Sequence, residues 1–126
     1  MSDNVEMVQG AYEAFGRGDI PALMENFADD IEWHSPEPLP QHIDARGPED
    51  VGQFFQRVAD NWSDFHVDLD DVVASGDRVC AIGHAAGKLD GGTDAEYGFV
   101  HCWTVREGEL ARFDEYVAPS PALLAR

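Results

Sequence analysis

The sequence predicts an α+β domain: apolar residues recur at steps of three and four in its first half, alternate with period two in its second, and the change falls near Phe65. Val5, Val8, Tyr12 and Phe15 mark an amphipathic helix over 3–16, with Asp3 and Glu6 spaced as a capping box. Gly16 and Gly18 end it, Asp19 caps a second short helix, and Ile20, Leu23 and Phe27 supply that helix's apolar stripe. Ile31, Trp33 and Ser35 alternate with Glu32 and His34 in a short strand that Pro36 closes. One long loop follows, Pro-rich from Ser35 to Pro40 and polar up to Gly47. Gly47-Pro48-Glu49-Asp50 reads as the start of a third helix, with acids at the positive end of its dipole and Val51, Phe54, Phe55, Val58 and Trp62 on its apolar face. Strands over 66–75, 78–89, 95–106 and 109–117, joined by Ser75-Gly76-Asp77, Asp90-Gly91-Gly92 and Glu107-Gly108, form an antiparallel meander. Three N-terminal helices must cover one face of that sheet, so the sheet is expected to curl around them. In the tail, Leu123 and Leu124 are expected to pack against the mouth of the sheet or a partner subunit.

With 126 residues the chain is expected to be one domain over 1–126, and its seven Phe, three Trp and three Tyr give it core material that disordered chains lack. Eight Lys+Arg against 25 Asp+Glu leave a net charge of -17, a field that repels phosphate backbones and anionic lipid surfaces. No nucleic-acid or membrane partner is therefore expected, and a neutral or cationic small molecule is the better ligand. The first 25 residues hold five acids and one Arg with no continuous apolar run, so neither a signal peptide nor a membrane span is read there, and a cytoplasmic protein is expected. Cys80 and Cys102 lie in strand-like segments without CxxC spacing and read as buried thiols rather than a disulfide framework. His42, His66 and His84 show no metal-ligand spacing, and there is no glycine-rich nucleotide fingerprint and no GxSxG elbow, so no metal or cofactor is expected.

The last two strands carry the chemistry. Reading Val105 to Glu109 as a type I turn with a glycine bulge at Gly108 sets Trp103 opposite Ala111, His101 opposite Phe113 and Phe99 opposite Glu115. One face then holds Phe99, His101, Trp103, Val105, Ala111, Phe113, Glu115 and Val117; the other holds Val100, Cys102, Thr104, Leu110, Arg112, Asp114 and Tyr116 and suits solvent or a partner. On the inner face His101 and Glu115 are diagonal neighbours roughly 5–7 Å apart at the backbone, two titratable groups on an aromatic surface. Burial and a charged neighbour move such groups toward neutral pKa values, so they are the candidate catalytic acid/base pair, as against a core histidine with a carboxylate partner. Trp33 and Ser35 point inward by alternation, and Phe55, Phe99, Trp103, Phe113 and Tyr12 complete the candidate binding surface. The polar face, with Leu110, Tyr116 and Val100 partly exposed, is expected to form a homodimer.

The segments Tyr12–Asp19, Asn26–Trp33, Gly47–Phe54, Gly76–Val79 and Phe99–Tyr116 together resemble the nuclear transport factor 2-like superfamily, and within it the SnoaL-like polyketide cyclases and ketosteroid isomerase-related proteins. The resemblance spans nearly the whole chain and implies a cone-shaped curved sheet around the helices, a cystatin-like α+β roll. That scaffold hosts isomerases, cyclases, epoxide hydrolases, dehydratases and non-catalytic modules, so it implies a pocket before it implies a reaction. Limonene epoxide hydrolases carry a Trp-Arg-Asp-Tyr-Phe-Asp segment on their final strand; here Glu115 falls on the first of those acids and Ala118 replaces the second. Ketosteroid isomerases read acid-Asp-Pro at the end of the first strand, whereas this chain reads His34-Ser35-Pro36 and lacks that base; Tyr12 lies one residue from the position of their oxyanion-stabilising tyrosine.

Three functions remain, two of them as alternatives to the first. One is a small cofactor-independent enzyme of the isomerase/cyclase type, working by acid-base chemistry on an apolar or polycyclic carbonyl compound. The second is a binding or dimerisation module of the same shape without turnover, and an epoxide-hydrolase-like hydrolase stands beside it.

Overall fold

The structure, a computed structural model that describes residues 3–125, opens with α1 (Asp3–Gly16), which buries Val8, Ala11 and Ala14. Asp3, expected as its cap, is already helical. Asp19 caps α2 (Ile20–Met24) by accepting from the Ala22 N–H. Phe27 does not extend that helix: it begins β1 (Phe27–Ser35), four residues earlier than expected. The expected single loop also contains β2 (Ile43–Arg46), paired antiparallel with β1, while its remaining turns tuck Leu39 and Gln41 fully into the interior. Pro48 at the first turn starts α3 (Pro48–Asn61), and Trp62 opens β3 (Trp62–Ser75) instead of closing the helix. Next come β4 (Arg78–Leu89), β5 (Asp94–Arg106), β6 (Glu109–Pro119) and the one-turn α4 (Pro121–Leu124).

These strands form one curved, unclosed six-stranded sheet in the order β2-β1-β6-β5-β4-β3. The pairing is antiparallel except between β1 and β6, which run parallel with Trp33 beside Phe113. The concave face packs on α1 and α3 through one continuous core that includes Trp33, Phe54, Trp103 and Phe113.

The β5–β6 turn departs from the expected one. Glu107 and Gly108 both have positive φ, 53° and 77°, so the hairpin turns in two residues, and the bulge falls between Thr104 and Val105, across from Leu110 to Arg112. The register is therefore Trp103–Phe113, His101–Glu115 and Phe99–Val117. A slip of two preserves which face each residue takes, because side chains alternate with period two. Leu110 is the exception: at the bulge it is fully buried and not on the outer face. In the tail only Leu123 is buried, since Ser120 bonds to Glu96 through both backbone and hydroxyl and sets one face of α4 inward; Leu124 is exposed.

Close approach of strands explains Gly83. A Cβ there would sit 2.2 Å from the Asp68 carbonyl oxygen, where β3 bulges, and 3.0 Å from the Phe99 ring. On the convex face Cys80 and Cys102 are cross-strand neighbours with sulfurs 3.2 Å apart, free and half-buried. Burial, then the Cys80 thiol beside it, pushes the Cys102 thiol up to about 11.

Candidate active site

The inner ends of α1, β1, β5 and β6 place five side chains in one hydrogen-bonded run. Trp103 Nε1–H donates to Tyr12 Oη at 3.0 Å. Because an indole N–H only donates, that lone pair of Tyr12 is taken, and its own O–H points to His101 Nδ1 at 2.5 Å. His101 Nε2–H then donates to Glu115 Oε2 at 2.8 Å. Ser35 Oγ–H reaches the other carboxylate oxygen, Oε1, at 2.7 Å. With His101 as its Nε2–H tautomer, every bond is directed toward Glu115, the terminal acceptor.

The pair at its centre is buried: the Glu115 side chain is 2% exposed and that of His101 9%. Phe99 stacks on the His101 ring at 3.8 Å and 10°, occupying the space that Gly83 leaves by having no side chain. Burial raises the Tyr12 phenol far above its ordinary value, with Glu115 adding to the effect, so Tyr12 stays protonated and can serve only as a neutral donor or transient carrier.

Tyr12, His101 and Glu115 open on a cavity walled by Phe15, Phe55, Val58, Phe65, Val67 and Phe113. Its free volume is about 60 Å³. That free space suits on the order of four waters or one small ring. Of the candidate binding residues, Trp33, Phe55, Trp103, Phe113 and Tyr12 line the cavity, whereas Ser35 and Phe99 stand behind the pair, one bonded to Glu115 and one against His101. His34 points away and bonds Asp44 on the outer face. Several apolar wall residues lie outside the sequence-based set, and so do two polar ones, Gln41 and Tyr97. Tyr97 continues the inward alternation of Phe99, His101 and Trp103 and was legible there; Gln41 sits in a loop without periodicity. Among the described residues no three His, Cys, Asp or Glu side chains converge to hold a metal ion, and no helix is long and apolar enough to cross a membrane.

Chemically, the run can take a proton at Tyr12 Oη while Tyr12 passes its own to His101, leaving an imidazolium against the Glu115 carboxylate; reversal returns it.

The model of the SnoaL-like domain matches residues 8–113. Among solved structures, an NTF2-like protein from Burkholderia thailandensis is 27% identical with a TM-score of 0.88, over 99% of this chain and 96% of that one. TerC, co-crystallised with polyporic acid, is 26% identical with a TM-score of 0.84, over 93% and 92%. A candidate polyketide cyclase from Xanthomonas campestris is 28% identical with a TM-score of 0.72, over 90% and 88%. No curated protein sequence matches the chain.

Proposed function

The chain belongs to the SnoaL-like family, and we propose that it is an enzyme of the isomerase/cyclase type that moves a proton on a neutral, carbonyl-containing ring compound. The observation that carries this reading is the directed run Tyr12–His101–Glu115 opening on a cavity in which, among the described residues, Glu115 is the only carboxylate. A ketone acidifies the hydrogens on its neighbouring carbon, and a buried neutral relay ending in a carboxylate accepts such a proton without needing a metal or cofactor. Tyr12 and His101 carry the proton, Glu115 stabilises the imidazolium, and Ser35 holds Glu115. The similarity to TerC, crystallised with a small organic ligand, supports a ligand in the corresponding cavity. One small ring suits the resting cavity; a fused-ring ligand requires Phe55 and Phe65, both only partly buried, to swing aside.

The test is hydrogen exchange. In D₂O, a panel of cyclic ketones followed by proton NMR should lose signal at the carbon beside the carbonyl faster with the protein than with buffer. A second reading, a binding module without turnover, is favoured by the fact that every relay atom already has a partner within the fold. Binding of ketones without accelerated exchange would establish it. One carboxylate in the cavity is too few for a hydrolase that relies on several acids.

We also propose a homodimer through the convex sheet face, where Val73, Ile82 and Tyr116 are 47%, 37% and 61% exposed. At about 150 mM salt, enough to screen the net charge of -17, light scattering should give twice the 13.9 kDa chain mass. A monomer at all concentrations overturns the dimer.

A further inference from the structure

The cavity holds a second polar station that the relay leaves unused. Gln41, fully buried in the loop between β1 and β2, accepts from Trp62 Nε1–H through Oε1 at 2.9 Å. With its oxygen fixed by a group that only donates, the amide must turn Nε2 toward Tyr97, whose Oη accepts at 3.0 Å. The Tyr97 O–H is thereby left free to donate, and among the described residues it has no acceptor. Tyr97 is 4% exposed and forms part of the cavity wall. Burial, with Glu115 adding to it, raises its phenol well above the ordinary value, so the donor keeps its proton at any ordinary pH.

The relay cannot offer a comparable donor. The Tyr12 O–H is committed to His101, and the Trp103 N–H to Tyr12. Trp33 Nε1–H also lacks an acceptor, but it is buried within the cluster of Phe27, Phe54 and Phe113 rings. From the same face of β5, Tyr97 and His101 project four residues apart, roughly 13 Å along the strand.

We infer that Tyr97, held by Gln41 and Trp62, is a specificity-determining donor that takes a carbonyl or ether oxygen of the ligand at the end of the cavity remote from Tyr12. This deepens the proposed proton-transfer reading and rests on the cavity being the ligand site. A ring compound lacking that oxygen would leave a buried donor unpaired, which is how such a pocket rejects hydrocarbons of the same shape.

Matched probes test this: 1-indanone and indane share a skeleton and differ in the carbonyl. Titrations followed by NMR should show the protein binding 1-indanone about fivefold or more tightly than indane. In Tyr97→Phe that ratio should fall to within about twofold of unity, with indane binding more tightly because no donor is left unpaired; in Gln41→Leu, which frees the hydroxyl to rotate, it should fall partway. Thermal unfolding checks each fold, and if Tyr97→Phe fails to fold, the Gln41→Leu ratio decides. A ratio unaltered in the folded variant, a ratio lost instead in Trp33→Phe or Tyr12→Phe, or failure of 1-indanone to bind overturns the inference. Ketone exchange by a protein with no carbonyl preference sinks this inference alone, whereas a Tyr97-dependent preference without exchange sinks only the catalytic reading.

Discussion

Glu115→Gln should slow ketone proton exchange about 100-fold or more, and His101→Asn should do the same, each with folding nearly intact. Glutamine keeps the shape: its oxygen can still accept from His101 and its amide can turn toward Ser35. What it loses is the charge that makes imidazolium tolerable in a site where the carboxylate side chain is 2% exposed. Asparagine is too short to bridge the 2.5 Å and 2.8 Å bonds that His101 makes to Tyr12 and Glu115, so the relay is cut in the middle. Since both changes disable one unit, the double variant should be scarcely slower than either single one. Exchange within about threefold of the unaltered protein in both variants would assign the network to structure alone.

Trp33→Ala should cost about 3–5 kcal/mol and lower Tm by roughly 10–20 °C. Trp33 is 2% exposed and lies face to face with Phe113 at 3.8 Å, with Phe27, Phe54, Phe55 and Trp103 around it at 5.2–5.7 Å. It joins β1 to β6 and α3 to the sheet, so its loss empties the point where three elements meet. Trp33→Phe should recover most of the difference. Calorimetry showing a drop of only a few degrees for Trp33→Ala would mean that the neighbouring rings collapse into the space.

The inner face of β5 and β6 was legible because alternation alone decides it, and an error of two residues in register leaves alternation intact. The register itself was not, since it turned on Glu107 adopting a positive φ of 53°, a conformation that a glutamate gives no sign of in the sequence. Phe27 followed the helical spacing of Ile20 and Leu23, yet the sheet claimed it through pairing with Leu110. β2 has four residues and one buried side chain, Ala45, too little pattern to register. The Gln41 station depends on Trp62 and Tyr97, partners 21 and 56 residues away, which no local signal connects.

The parallel pairing of β1 with β6 has a kinetic consequence. Glu32 meets Arg112 and Ser35 meets Glu115 across 80 residues of chain, so closing this seam requires a costly long-range loop. The hairpins of β3 to β6, joined by short turns, should assemble first, leaving β1 and α1 to dock on a preformed edge. Tyr12 and Ser35 arrive with that docking step. Acid-base competence should therefore appear together with the last phase of refolding, and a chain released before β6 is made should contain His101 and Tyr12 but not Glu115, the acceptor of the imidazole N–H.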